Sequence, residues 1–186
     1  MKGTLYVVST PIGNLEDITF RAVRILKESD LIVCEDTRQT LKLLSHLQIS
    51  KQLISFYTQN QFKRIPQIIS LLEEGKNISL VSDCGTPAIS DPGYYLVKEA
   101  LNNGINIIPV PGPCALIPAL VSSGLPTDSF IFLGFLRKKP GKMKKELLEA
   151  SLIQKTIIFY ESPHRILKTM QICREVFGQN ANMVLA

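Results

Sequence analysis

Tryptophan is missing from the 186 residues, histidine occurs twice, and the four cysteines (Cys34, Cys84, Cys114, Cys173) stand far apart with no Cys-x-x-Cys pair. That pattern supports neither a zinc site nor a disulfide framework, so no metal is expected. Long apolar runs are missing too, and nothing approaches the roughly 18 residues that cross a bilayer. The short run at residues 5–8 has neither the length nor the flanks of a signal peptide. A cytoplasmic protein with no membrane partner is the expectation. Also absent are Gly-x-x-x-x-Gly-Lys-[Ser/Thr] and a Gly-x-Gly-x-x-Gly after the first strand-like run. Their absence argues against a phosphate-gripping P-loop and against a nicotinamide-binding protein. What is present is the balance of a folded chain, 45% hydrophobic and 20% charged, which excludes disorder. The length suits one ordinary domain or two small ones.

Charge is unevenly spread. Of the 21 Lys and Arg residues, six lie in Arg137-Lys138-Lys139-Pro140-Gly141-Lys142-Met143-Lys144-Lys145, which holds no acid; without them, 15 basic residues face 16 acidic ones. A near-neutral body with one basic arm concentrates a polyanion at one place, although a solvated loop leading into a helix is as good a reading.

Short strand-like runs alternate with helical stripes. Residues 5–9, 31–33, 78–81 and 105–110 read as strands. Ile18, Ala22, Ile25 and Leu26 form one helical stripe. Phe62, Ile65, Ile68, Ile69 and Leu72 form a second, with Pro66 acceptable only in its first turn. Leu96, Val97, Ala100 and Leu101 form a third, closed by Gly104. This βα order calls for right-handed crossovers and a mostly parallel sheet. The punctuation Ser122-Ser123-Gly124-Leu125-Pro126-Thr127 marks a domain boundary, giving domains at 1–125 and 127–186. Beyond it, residues 130–135 read as a strand, 142–152 as a helix and 156–160 as a strand. Ser162 and Pro163 then open a helix that ends near Gly178. Residues 182–186 read as a strand cut off midway, so the second domain is expected to be truncated.

Three loops follow strands at what a parallel sheet makes a single edge: Thr10-Pro11-Ile12-Gly13-Asn14, residues 82–93, and Pro111-Gly112-Pro113-Cys114-Ala115. Each combines Gly, which admits a ligand close to backbone, with Pro, which stiffens the loop. None contains Lys or Arg. The crevice they outline suits a ligand without phosphates, and Asp83 suits an amino, hydroxyl or cationic group. S-adenosylmethionine meets that description.

Ser9-Thr10-Pro11-Ile12-Gly13-Asn14, Glu35-Asp36-Thr37-Arg38, residues 82–93, residues 111–115 and Tyr160-Glu161-Ser162-Pro163-His164-Arg165 together resemble the tetrapyrrole-methylase-like (class III) methyltransferases. The resemblance runs in the family's motif order over essentially the whole chain. It implies two α/β domains with mostly parallel sheets and S-adenosylmethionine in a cleft between them. It also implies a homodimer that transfers methyl to the ribose 2′-hydroxyl of a cytidine in small-subunit ribosomal RNA, free or in the assembled subunit. By the same resemblance Ile12, Thr86, Cys114 and Ala115 line the cofactor, together with Pro11, Gly13, Gly85, Pro87 and Tyr160. Cys114 departs from the serine more frequent in the family, but both are small.

Glu35 and Asp36 are candidate bases for the hydroxyl proton, with Arg38 holding the other acid or a phosphate. An N-cap opening a helix at 40–46 is an equally simple use of them. Glu161 is a further candidate base, or the partner of Arg165. His164 and Arg165 are expected in the first turn of a helix, where positive charge is disfavoured by roughly 0.3–1 kcal/mol unless an anion arrives. With Arg137, Lys138, Lys139 and Lys142 they form the candidate RNA-binding set. Alternatives are a tetrapyrrole or protein side-chain methyltransferase of the same family, and a noncatalytic RNA-binding module.

Overall fold

A computed structural model describes residues 1–186. Contacts divide the chain into two compact units, Met1–Cys114 and Ala115–Ala186. The first contains β1 (Thr4–Val8), α1 (Phe20–Glu28), β2 (Leu31–Cys34), α2 (Thr37–His46), β3 (Gln52–Ser55), α3 (Gln61–Glu73), β4 (Ile78–Val81), α4 (Tyr94–Asn102) and β5 (Asn106–Val110). Its five strands form a wholly parallel sheet in the order β3-β2-β4-β1-β5. Strand alternation divides the apolar residues between the two faces. Leu31, Val33, Ile78 and Leu80 join Ile65, Ile68, Ile69 and Leu72 of α3 and Leu96 and Ala100 of α4. Ile32, Cys34 and Val81 join Ala22, Ile25 and Leu26 of α1 and Leu44 of α2 on the other face. Burial of each such leucine or isoleucine contributes about 1.5–3 kcal/mol.

Local signals explain most helix ends. The Thr19 hydroxyl accepts the Ala22 N–H at the start of α1, and Gly104 follows α4 with φ +62°. Pro66 departs from expectation: it lies in the second turn of α3, not the first. Its missing N–H removes one backbone bond, to the Phe62 carbonyl, and the buried stripe of α3 offsets that loss. β3 is a short strand that the sequence reading does not identify.

The second unit contains α5 (Leu116–Ser122), β6 (Phe130–Phe135), α6 (Pro140–Ser151), β7 (Thr156–Tyr160) and α7 (Ile166–Phe177). β6 and β7 pair in parallel, with an irregularity between Phe132 and Phe135 where Gly134 has φ +65°. Leu136, Met143, Leu147, Ile172 and Cys173 form its core. The unit begins ahead of α5, which packs on β7, rather than at the punctuation of residues 122–127. Residues 163–165 are a turn ahead of α7 rather than its first helical residues. Residues 182–186 form no strand, having no neighbouring strand to complete a ladder. No helix is long and apolar enough to cross a membrane.

Candidate functional site

The strand order creates a switch point. From β1 the chain moves toward β2 on one side, and from its neighbour β4 it moves toward β5 on the other. Open parallel sheets bind ligands in the crevice outside the carboxyl ends of such a pair. The loops after β1 and β4 leave from here and are stitched together. The Thr10 N–H donates to the Gly85 carbonyl at 2.9 Å, and the Gly85 N–H returns to the Thr10 carbonyl at 3.0 Å. The Thr10 hydroxyl donates to the Ser82 carbonyl at 3.1 Å. Ser9, 2% exposed, meets the Thr86 hydroxyl at 2.9 Å, and Thr86 donates onward to the Pro113 carbonyl at 3.4 Å. Because the single Thr86 proton points to Pro113, Ser9 is the donor in the Ser9–Thr86 pair.

Two glycines are required by this convergence. Gly85 has φ +80°, and a Cβ there would lie 3.4 Å from Ile12 and 3.7 Å from the Pro113 carbonyl, so all three loops meet around it. A Cβ on Gly112 would lie 2.9 Å from the Cβ of Ser9. The structure thus gathers Pro11, Ile12, Gly85, Thr86 and Pro113 into one arrangement. Pro87, Gly13 and Cys114 lie in the same loops, with Pro11 and Pro87 buried and Ile12 and Gly13 exposed. Ser9, quoted in the motif but not proposed as a site residue, is the buried hinge of this set; its only sequence signal is its place at a strand end.

Carboxylates surround the same edge. β2 pairs with β4 in the register Cys34↔Val81, so the next residues of each, Glu35-Asp36 and Ser82-Asp83, emerge side by side. Asp83, itself exposed, accepts the Asp36 N–H at 3.0 Å. Asp36 caps α2 by accepting the Arg38 N–H at 2.8 Å, and the Arg38 guanidinium grips both its oxygens, Nε–Oδ1 at 3.0 Å and Nη2–Oδ2 at 2.6 Å. Those bonds hold the Asp36 carboxyl down at about 2. So weak a base is a poor acceptor for a hydroxyl proton, and the geometry puts Asp36 to the capping use that the sequence left open beside proton transfer. Arg38, 84% exposed, is the partner of Asp36 and turns the rest of its guanidinium to solvent. Glu35 is the opposite case. Burial first, then the charges of Asp91, Asp83 and Asp36, push its carboxyl above the ordinary range. Burial also raises Asp91, opposed by a hydrogen bond with Ser82 and reinforced by Asp83. Asp91 is an acid that the sequence reading passes over, because nothing local distinguishes it from a turn residue.

In the second unit, Tyr160 packs edge-on against Phe132 at 4.9 Å and against Phe135 at 5.6 Å. Ala115 precedes α5 and is exposed. Glu161 is 3% exposed; its Oε2 accepts from Arg165 at 2.7 Å and from Thr169 at 2.6 Å, and its Oε1 accepts the Ser162 N–H at 2.7 Å. Burial pushes the Glu161 carboxyl up, but these three hydrogen bonds together with the Arg165 charge outweigh it and leave it below its ordinary value. Glu161 is therefore the partner of Arg165 and not a free base. Arg165 is correspondingly not a free phosphate ligand: its guanidinium is neutralised by Glu161 and also donates to the Leu136 carbonyl at 3.2 Å. His164 remains exposed, with its N–H near the Ser162 hydroxyl at 3.4 Å.

The basic arm emerges between β6 and α6. Arg137, Lys138, Lys139 and Lys142 are exposed and belong to none of the ion pairs, whereas Lys144 meets Glu175 and Lys145 meets Glu149. Lys139 stands at the N-cap of α6 with no side-chain cap, and no acid lies in the first turn. Cations at that end oppose the helix dipole, so the segment carries unneutralised positive charge. A separate groove of about 600 Å³ between α3 and α4, lined by Phe62, Ile65 and Tyr95 among others, includes no residue of the three loops.

The parallel sheet opens a stiff crevice with acids beside it at its switch point, and residues 4–186 match the family of Tetrapyrrole (Corrin/Porphyrin) Methylases, to which the chain belongs. Among its relatives it is similar to the ribosomal RNA small subunit methyltransferase I of Halalkalibacterium halodurans, with 52% identity over 177 residues, 95% of this chain and 61% of that protein. The protein of the same name from Vibrio cholerae is 49% identical over 182 residues, 98% of this chain and 63% of the relative. The chain thus spans less than two thirds of the length of either. The solved structure of uroporphyrin III C-methyltransferase from Thermus thermophilus covers 92% of this chain and is covered to 76%, with TM-score 0.63 at 18% identity, a likeness of fold.

Proposed function

We propose that this chain carries the S-adenosylmethionine-binding and RNA-holding parts of an enzyme that methylates the ribose 2′-hydroxyl of a cytidine in small-subunit ribosomal RNA. The observation that carries the reading is the meeting of the three loops around Gly85 at the edge where Glu35, Asp83 and Asp91 interact with one another. The donor set fits the cofactor: carboxylates for an amino group, ribose hydroxyls and a cationic sulfur, and no Lys or Arg to demand phosphate. When bound, S-adenosylmethionine supplies an electrophilic methyl group.

The protein's own contribution is alignment and proton removal. Thr10, Gly85, Thr86 and Pro113 hold the loop backbone rigid, so ordering costs are met before the ligand arrives. Asp83 faces solvent at the crevice rim and accepts from the cofactor's donors. Glu35 would take the hydroxyl proton as the methyl carbon bonds to that oxygen and its bond to the cofactor's sulfur breaks, the electron pair staying on the neutral thioether that leaves; its raised carboxyl makes it a stronger base than Asp36. Arg137, Lys138, Lys139, Lys142 and His164 hold RNA phosphates, a role a small tetrapyrrole acceptor would not require. The same reading makes the enzyme a cytoplasmic homodimer acting on ribosomal RNA or the assembled small subunit.

The test is methyl transfer by the full-length protein from labelled S-adenosylmethionine to undermethylated small subunits, ribosomal RNA and small acceptors. Saturating cofactor should raise the melting temperature, and Asp83→Ala should weaken binding about tenfold, so that the stabilisation by cofactor shrinks by roughly 1.4 kcal/mol at fixed cofactor and the melting shift with it. A melting temperature indifferent to saturating cofactor would reject the reading.

A further inference from the structure

We infer that Arg165 is a positioning residue for RNA binding: from its buried pair with Glu161 it clamps the Leu136 carbonyl and so fixes the root of the basic segment Arg137–Lys142. The inference rests on the RNA reading above. An arginine serving a phosphate directly keeps its guanidinium in solvent. Arg165 instead is 28% exposed and pairs with a glutamate that is 3% exposed. Burying two charges is costly unless both are paired and their remaining valences are satisfied. Here Arg165, Thr169 and the Ser162 N–H satisfy Glu161; on the arginine the same Nη2 also donates to the Leu136 carbonyl at 3.2 Å, while the buried Nε has no partner.

Leu136 is the last anchored residue before the arm. Its side chain is buried with Met143, Leu147, Ile172 and Cys173, and its carbonyl is held by Arg165. The next N–H, that of Arg137, donates to Glu146 on α6 at 3.2 Å. Lys138 and Lys139 follow, and Pro140 opens the helix with its φ already restricted. The exposed cations therefore hang from a short segment held at both ends. Such a segment loses less conformational freedom on meeting a polyanion than a free loop would, which strengthens binding without adding a contact.

Clamp and charge have separate signatures. The number of phosphates neutralised sets the slope of log K against log salt, whereas preorganisation shifts K at every salt concentration and leaves the slope alone. The experiment measures binding of the full-length protein to a transcript of small-subunit ribosomal RNA over a range of salt. Hydrogen exchange at residues 137–139 and S-adenosylmethionine affinity are followed alongside. Arg165→Lys keeps the charge opposite Glu161, but its ammonium ends one bond short of the Nη2 that reaches both the Glu161 carboxylate and the Leu136 carbonyl. It should weaken RNA binding about five- to tenfold with the slope unchanged, speed exchange at 137–139 and leave cofactor affinity alone. The double variant Glu161→Gln with Arg165→Met leaves no unpaired buried charge, so it gives the same readout if the single variant folds poorly. Wild-type RNA affinity in both variants, or unaltered exchange at 137–139, overturns the inference. A flattened slope in Arg165→Lys also overturns it, since Arg165 would then touch phosphate itself. Replacing Arg137, Lys138, Lys139 and Lys142 with Gln is the control: RNA affinity that survives it makes the arm a bystander and overturns the clamp's purpose, whereas a wild-type protein that binds no RNA fails the RNA reading itself.

Discussion

Two glutamates at strand ends show how placement sets the behaviour of a single residue. Glu161 follows β7 inside three hydrogen bonds, so its folded-state pKa lies below the unfolded one. Its stabilisation is present above the unfolded value, near 4.3, and fades as pH falls through the folded value. Glu35 follows β2 among other acids, so its folded-state pKa lies above the unfolded one. The folded protein then holds the proton more tightly, and ionising Glu35 costs stability that is intact below the unfolded pKa and lost as pH rises through the folded one. Glu35→Gln should therefore raise the melting temperature at pH 7 by roughly 1–3 °C and leave it unchanged at pH 4, because both forms are neutral there. Scanning calorimetry at the two pH values checks this. A variant less stable than wild type at pH 7 would show that Glu35 is charged and well paired. Methyl transfer should fall in the same variant, since the amide accepts no proton.

At the scale of elements, the loops after β1, β4 and β5 derive their rigidity from closeness that only glycine permits. Gly112 lies against Ser9, and the Cβ of an alanine would sit 2.9 Å from the Ser9 Cβ, which has no room to retreat because Ser9 is buried and bonded to Thr86. Gly112→Ala should cost about 1–3 kcal/mol and loosen cofactor binding. Gly141, in the first turn of α6, has nothing within 4 Å of the same added atom, and Gly141→Ala should stabilise by about 0.5 kcal/mol through helix propensity alone. Opposite shifts of melting temperature in the two alanine variants check the pair. The three loops were legible in the sequence because strand-ending apolar runs and Gly/Pro punctuation are local signals, and a parallel sheet then places them at one edge. The order β3-β2-β4-β1-β5 was not legible, since it is decided by which strands pair across long separations. β3 was missed because Gln52–Ser55 is short, half exposed and without alternation. Arg165 was half read: pairing with Glu161 and contact with an anion were both open, and only the fold, which brings Glu161, Thr169 and Leu136 together, shows the pair. Asp36 was half read, since capping and proton transfer were both open, and only the Arg38 fork decides between them.

The whole molecule is nearly neutral apart from its arm, with 15 basic against 16 acidic residues once the six of residues 137–145 are set aside. Two of those six are tied into ion pairs with Glu175 and Glu149 on the helices. The field that draws a polyanion is thus concentrated on Arg137, Lys138, Lys139 and Lys142, and the acidic edge around Asp83 repels phosphate. On the proposed function, this division of charge assigns a cationic ligand to the first unit and an anionic one to the second before any contact forms. Each phosphate neutralised contributes about 0.7–0.9 to the slope of log K against log salt, so exchanging those four cations for Gln should flatten the slope by about 3. Cofactor affinity should be unmoved, since none of the four lies in the crevice loops. Fluorescence anisotropy with a small-subunit ribosomal RNA transcript at several salt concentrations gives the slope, and calorimetric titration with S-adenosylmethionine gives the cofactor affinity. A slope that keeps its full steepness without the arm would mean that the polyanion is held by cations elsewhere on the protein, and that the local excess of charge after β6 serves only to keep the chain soluble.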